Sequence, residues 1–231
     1  MHKMSNMIVI IKKQLKDTLK NKTILIQFIL FPFMTVLMEN AVKIDGMPTF
    51  FFTKLFAVMY IGMAPLTATA SVIAEEKEKN TLRVLTMADI RPWQYLCGIG
   101  IHIWMICMLG ACVMSTTLPA EKIPFFLLIM GTGFIISVIA GASIGIFSKN
   151  QMMATSIVMP FMMILSFAPM LSLFNDRIKK FATVVYTQQL MVLFDEMTFR
   201  GFYANGITIL LVNALLCVLL FAFAYRRKGL A

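Results

Sequence analysis

The chain has 231 residues, of which 59% are hydrophobic and only 14% are charged, and its mean hydropathy is +0.82. This composition excludes an ordinary soluble domain, because there are too few polar side chains to cover a surface exposed to water. The formal net charge of +10 would also suit a nucleic-acid-binding protein. The distribution of the basic residues along the chain decides between that reading and a membrane protein.

Residues 1–22 predict a basic amphipathic helix. Isoleucines and leucines alternate there with lysines at helical spacing, a pattern typical of helices that lie along a membrane surface. The lysines are Lys3, Lys12, Lys13, Lys16, Lys20 and Lys22. No small-residue cleavage site follows the first apolar block, so we expect no removable signal peptide.

Six apolar blocks of roughly 16 to 24 residues follow, a length that favours membrane-spanning helices over the short alternating strands of a barrel. The blocks are Thr23–Met38, Leu55–Ala74, Tyr95–Leu118, Pro124–Phe147, Met152–Phe174 and Gly206–Tyr225. We therefore predict an all-α integral membrane protein with six transmembrane helices in a single domain over residues 1–231. Its predicted parts are an interfacial helix (1–22), spans 1 and 2 (23–74), a cytoplasmic segment (75–92), spans 3 to 5 (93–174), an external segment (175–205) and span 6 with a basic tail (206–231).

The distribution of lysine and arginine predicts the orientation. With the N-terminus inside, 14 of the 21 basic residues fall on the cytoplasmic side, as the positive-inside rule requires. Both termini are then cytoplasmic and the location is the plasma membrane. Anionic lipids account for the excess positive charge, so lipids are an expected partner and nucleic acid is not.

Two connectors are too long to be simple turns. The cytoplasmic connector, residues 75–92, is strongly charged at its start, whereas the external connector, residues 175–205, mixes apolar and charged residues. Because such a mixed segment would aggregate if it stood free in water, we expect it to form short re-entrant helices in the outer leaflet before span 6.

The sequence after span 2 reads Glu-Glu-Lys-Glu-Lys-Asn-Thr-Leu-Arg-Val-Leu from residue 75 to residue 85, and Pro92 precedes span 3. This resembles the permease subunits of ABC-2 type exporters, in which a charged run reading roughly Glu-x-Glu-x-Gly-Thr-Leu-Glu-x-Leu lies between spans two and three. The resemblance extends to the N-terminal helix, the six spans and the paired short helices before the last one. Asn80 stands where the family usually has glycine, and asparagine also tolerates a left-handed backbone, so Asn80 can preserve a turn there.

In that family this segment forms a cytoplasmic coupling helix that contacts a nucleotide-binding subunit. Continuous helical spacing would place Glu75, Glu78, Lys79 and Leu82 on one face. The predicted contacts are Glu75, Glu76, Glu78, Thr81, Leu82 and Leu85. The alternative is that the charged run is only a solvated loop, its mixed charges keeping a short helix soluble.

The chain contains no Gly-Lys pair, and a phosphate-binding loop requires one. We therefore expect no ATPase site, cofactor or metal in this chain, and we expect ATP and magnesium to bind to a separate cytoplasmic ATPase subunit. Six spans make half of the family's translocation path, which implies a second permease subunit, identical or different.

Twenty-one methionines are unusual, and their flexible, polarizable side chains suit varied apolar ligands. The alternative is that they simply replace leucine as bulk facing the lipid. A methionine-lined path would take a hydrophobic or amphipathic substrate, such as a membrane-active peptide or a lipophilic drug. The candidate path residues are Met34, Met59, Met63, Met159, Met162 and Met163.

Two alternative functions, a hydrolase and a carrier, belong to other classes. Residues 141–145 read Gly-Ala-Ser-Ile-Gly, which matches the serine hydrolase pattern, so Ser143 with His102 would make an intramembrane hydrolase. Within a span, however, the same small residues allow close helix packing, and a lone histidine usually bonds to a neighbouring helix. The other alternative is a carrier that works without ATP.

Overall fold

The computed structural model describes residues 2–42, 46–81, 91–196 and 204–228. Within these ranges the chain forms nine helices and no strand. The helices are α1 (His2–Lys20), α2 (Lys22–Ala41), α3 (Phe51–Glu78), α4 (Pro92–Ser115), α5 (Ile123–Phe147), α6 (Gln151–Ser172), α7 (Asp176–Ala182), α8 (Tyr186–Glu196) and α9 (Ala204–Lys228). The predicted all-helical fold is confirmed.

Six of the helices in the described ranges are long and apolar enough to cross a membrane, namely α2, α3, α4, α5, α6 and α9. They correspond one to one with the six predicted apolar blocks. The largest difference is in α3, which begins at Phe51 and continues past the predicted end at Ala74 through Glu78. The charged residues that were predicted to start a separate coupling helix therefore extend span 2 without a break.

Local sequence explains where several helices begin. The side chains of Asn21, Asn150 and Asn175 accept hydrogen bonds from backbone N–H groups at the starts of α2, α6 and α7, at 3.4, 2.8 and 2.9 Å. Asparagine is a preferred N-cap because its oxygen satisfies a donor that has no partner inside the helix. Pro92 opens α4, where the absent N–H costs nothing.

Helix α3 is the centre of the bundle and packs against α2, α4, α5, α6 and α8. Small residues on α5 let this pair of helices approach closely. A Cβ atom on Gly141 would lie 2.5 Å from the carbonyl oxygen of Leu66, and one on Gly145 would lie 2.9 Å from Cβ of Ile73. Any larger side chain at these positions would push α5 away from α3.

Two prolines inside spans leave carbonyl groups that other helices satisfy. Proline has no N–H, so the carbonyl four residues earlier loses its helical partner. Pro32 frees Phe28, whose oxygen accepts from the Tyr60 hydroxyl at 3.4 Å. Pro65 frees Ile61, whose oxygen accepts from Ser137 Oγ at 2.6 Å. Since hydrocarbon offers no alternative donor, these bonds tie α2 to α3 and α3 to α5.

The three helices that are too short or too polar to span pack against the bundle. Helix α1 lies against α4, and the Cβ of an alanine at Gly98 would come within 2.8 Å of Ile10 Cγ2. Helices α7 and α8 lie in the predicted external segment, and α8 packs on α3, α5, α6 and α9. That α1 is interfacial and that α7 and α8 dip into the outer leaflet remain predictions.

Candidate functional site

The charged end of α3, residues 75–80, ends in a sharp turn. The backbone N–H of Lys79 donates to Glu75 O at 3.0 Å, and that of Asn80 donates to Lys77 O at 3.0 Å. Asn80 then takes φ = 55°, a left-handed conformation that asparagine tolerates better than most residues. The predicted turn at Asn80 is confirmed, and it interrupts the single helical face that was predicted to run from Glu75 to Leu82.

Three acidic side chains at the charged end of α3 point to three different partners. Glu75 pairs with Lys79 at 2.5 Å, and this hydrogen bond and its charge raise the pKa of the exposed Lys79 ammonium. Glu76 is buried, forms an ion pair with Lys13 of α1, and accepts a hydrogen bond from Gln14 Nε2 at 2.8 Å. Glu76 therefore fastens α1 to α3.

Glu78 and Lys77 fasten the same end of α3 to α6 and α5. A Glu78 carboxylate oxygen accepts from the backbone N–H of Gln151 at 2.9 Å, at the start of α6, where a negative charge is favoured by the helix dipole. Lys77 Nζ donates to Ile146 O at 2.6 Å, near the end of α5, where a positive charge is favoured for the same reason. A displacement of this end of α3 would therefore move three other helices.

The predicted contact residues are placed differently by the fold. Glu78 is exposed and Glu75 and Thr81 are partly buried, whereas Glu76 is only 7% exposed. Leu82 and Leu85 lie outside the described residues. The described charged end of α3 thus presents Glu78, Lys79 and Asn80 at its surface.

A polar cleft of about 630 Å³ lies between α1, the start of α2 and the charged end of α3. Lysines and carboxylates alternate around it. Its charged lining residues are Lys13, Asp17, Lys20, Lys22, Glu75, Glu76 and Lys79, and Asn21 and Ile24 lie at its inner end. The cleft can accept ligand groups of either charge.

A second cavity of about 320 Å³, which we call the inner cavity, lies between α2, α3 and α6. Asn21 and Ile24 line both this cavity and the polar cleft, so the two adjoin at these residues. Its lining is mixed: Gln27, Thr67, Ser71, Gln151 and Thr155 are polar, whereas Ile24, Ala68, Val158, Met159 and Met162 are apolar. This combination fits an amphipathic ligand.

Two of the six predicted path methionines, Met159 and Met162, line the inner cavity. Met59 and Met63 instead pack against the main core, Met34 is partly buried, and Met163 is 56% exposed on α6. That any of these methionines lines a substrate path stays a prediction.

Sequence reasoning missed the polar wall of the inner cavity. Thr67 Oγ1 donates to Gln27 Oε1 across the α2–α3 contact at 2.7 Å. Thr67 and Ser71 are one helical turn apart on α3, so they share a face. Polar residues at this spacing inside an apolar block could have predicted this wall from the sequence, because polar residues in a span face other protein or a cavity rather than lipid.

Ser143 and His102 are not joined by a hydrogen bond. Ser143 Oγ donates to Ile139 O in its own helix at 2.8 Å, while His102 Nε2 and Thr18 Oγ1 of α1 are 3.0 Å apart. The prediction that His102 bonds to a neighbouring helix is confirmed. The glycines on either side of Ser143 allow α5 to pack closely against α3. This geometry therefore does not favour a hydrolase.

The opposite end of the bundle has its own polar contacts. Lys54 of α3 forms an ion pair with Asp195 of α8 at 2.8 Å. Glu39 of α2 accepts from the backbone N–H of Thr53 at 2.9 Å and from its hydroxyl at 3.0 Å. These contacts hold the ends of α2, α3 and α8 together on the side away from α1.

A protein-family model described as "ABC-2 family transporter protein" matches residues 2–226. No curated protein matches the chain. The match extends over nearly the whole chain, from α1 into α9, and therefore includes the charged end of α3 and both cavities.

Proposed function

The chain belongs to the ABC-2 family of transporter proteins, and from this premise we propose that it exports a hydrophobic or amphipathic substrate with energy from ATP hydrolysed by a separate subunit. As a member of this family it is a multi-pass membrane subunit of an ABC transporter, a kind of subunit that works with ATPase subunits. Substrate, direction and coupling are the proposed parts.

The observation that carries the coupling proposal is the charged end of α3. A transport ATPase needs a stiff element through which its closure can move the spans. Glu76, Lys77 and Glu78 connect this end to α1, α5 and α6. Because each contact crosses to a different helix, a push on the end of α3 would be transmitted to all three.

We assign the ATPase contact to the exposed part of the charged end of α3 and the residues that follow it. Glu78 and Lys79 are exposed, and Thr81, Leu82 and Leu85 stay in the proposal on the strength of the family motif. Glu75 supports this surface through Lys79. Glu76 acts from within, by holding α1 in place.

The substrate proposal rests on the two adjoining cavities. A ligand would meet the charged polar cleft first and then the inner cavity with its hydroxyl, amide and methionine lining. An inner cavity of about 320 Å³ is at the low end of the usual range for small-molecule sites. It suits a lipophilic drug or part of a membrane-active peptide better than a bulky polysaccharide.

We further propose that two permease subunits, identical or different, form the complete path. Helices α2 and α6 flank the inner cavity, and both carry large exposed apolar side chains, among them Ile26, Leu30, Phe161 and Ile164. A second subunit set against these helices would close the cavity from the side.

Co-purification tests the coupling proposal. The tagged chain is isolated with its ATPase subunit from membranes that contain both, and Glu78→Ala/Leu82→Ala is compared with Glu121→Ala, which alters an exposed acid far from α3's charged end. We expect the double variant to retain at least about tenfold less ATPase than the unsubstituted chain. Two alanine substitutions at the centre of a contact can cost the corresponding ~1.4 kcal/mol, about tenfold in affinity. Full ATPase retention by the double variant would contradict the proposal.

A further inference from the structure

An apolar groove of about 540 Å³ lies between α1, α2 and α4, and it shares only Thr18 of its described lining with the polar cleft. Leu15 and Leu19 of α1 form its mouth, and residues of α2 from Leu25 to Val36 form one wall. The eleven steps from Leu25 to Val36 rise about 16 Å along the helix, close to the roughly 15 Å depth of hydrocarbon in one leaflet. The groove therefore has the length of one acyl chain running from the membrane surface towards the midplane.

Among the residues that the structure describes, none offers the groove a free polar partner at its mouth. Thr18 lines it, but the Thr18 hydroxyl is engaged with His102 Nε2 at 3.0 Å. The remaining lining is aliphatic or aromatic, including Phe28, Pro32 and Leu109. A polar ligand would lose its hydrogen bonds to water on entry and gain none, so the occupant has to be a hydrocarbon chain.

Two lysines lie on the exposed side of α1, next to Leu15 and Leu19 in the helix. Lys12 and Lys16 are one turn apart and exposed, and helical geometry places them beside the stripe formed by Ile8, Leu15 and Leu19. Among the described residues no carboxylate forms an ion pair with either of them, and Asp17 pairs instead with Lys13 at 3.5 Å. Their positive charge is thus left to an external anion.

We propose that this face binds one anionic phospholipid, with its phosphate at Lys12 and Lys16 and one acyl chain in the groove between α1, α2 and α4. The bound lipid fills the groove between α1, α2 and α4. Two lysines at that surface favour an anionic over a zwitterionic headgroup by at least about tenfold. The site is independent of the proposed transport function.

Native mass spectrometry of the purified full-length chain tests the site. The protein in mild detergent is given equal amounts of phosphatidylglycerol and phosphatidylcholine with the same acyl chains, and the lipids retained after washing are counted. We expect one phosphatidylglycerol per chain, retained at least about tenfold over phosphatidylcholine. Lys12→Gln/Lys16→Gln should remove this preference, whereas Lys179→Gln/Lys180→Gln, which alters two exposed lysines on α7, should keep it.

A second pair of variants tests the groove itself. Ile29→Trp fills the groove and should abolish lipid retention, whereas Leu215→Trp on the exposed face of α9 should not; the two residues are similarly exposed, at 55% and 59%. Equal retention of both lipids by the wild type would overturn the proposal, because it would indicate only surrounding lipid. Displacement of the lipid by soluble glycerol phosphate would also overturn it, since the headgroup alone would then be the ligand.

Discussion

Single polar side chains connect the spans of this protein at points where the backbone lacks a partner. Ser137 is the clearest example, because its Oγ donates to the Ile61 carbonyl that Pro65 leaves free and lies 2.7 Å from the Tyr186 hydroxyl. One hydroxyl group thus links α3, α5 and α8. A buried carbonyl left without a donor costs about 1–3 kcal/mol.

Replacing Ser137 with alanine should therefore destabilise the protein by about 1–3 kcal/mol, measured as loss of folded protein in a detergent-denaturation series. Ser143→Ala is the matched control on the same helix, because Ser143 bonds only to Ile139 in its own helix, whose carbonyl keeps its backbone donor. Equal effects of the two substitutions would show that the bond to Ile61 contributes nothing specific. Transport that survives Ser143→Ala would also dispose of the hydrolase alternative.

At the scale of the element, α1 is joined to the bundle by polar bonds as well as by apolar packing. Lys13 and Gln14 bind Glu76 of α3, and Thr18 binds His102 of α4. A buried carboxylate that loses its counter-charge is destabilising, by roughly 3–5 kcal/mol when the pair is fully buried. The position of α1 therefore depends on one ion pair more than on its lysine-rich surface.

Lys13→Met should loosen α1 by about 2 kcal/mol, less than for a fully buried pair because Lys13 is 36% exposed. Proteolysis at α1 in the otherwise folded protein reports this loss. Adding Glu76→Gln should restore protection, since the buried charge is then gone, and Lys12→Met on the exposed side should have no effect. Failure of Glu76→Gln to restore protection would show that the unpaired charge of Glu76 is not what loosens α1.

At the scale of the whole molecule, polar contacts concentrate at the two ends of the bundle. The end near α1 carries the charged end of α3 and the polar cleft, and the far end carries the Lys54–Asp195 and Glu39–Thr53 contacts. The basic residues predict that the α1 end faces the cytoplasm. This orientation is required if the charged end of α3 is to meet an ATPase.

Cysteine labelling of intact cells tests the orientation. In a background without the four native cysteines, a cysteine at Lys149 should react with a membrane-impermeant maleimide only after the cells are opened. A cysteine at Glu121 should react at once; both positions are exposed. Labelling of the Lys149 position but not the Glu121 position in intact cells would place the charged end of α3 outside the cell. That result would contradict the coupling proposal.

The sequence by itself determined the number and approximate limits of the spans, the turn at Asn80 and the family, because apolar block length, helix-capping residues and the charged motif are local properties. Two of the methionines that it singled out, Met159 and Met162, line the inner cavity. The sequence could not place Glu76 against Lys13, 63 positions away, nor Ser137 against Ile61, 76 positions away. Those pairs depend on the neighbours and rotation of each helix, which only the packing of the complete bundle decides, and the same packing creates the inner cavity and the apolar groove.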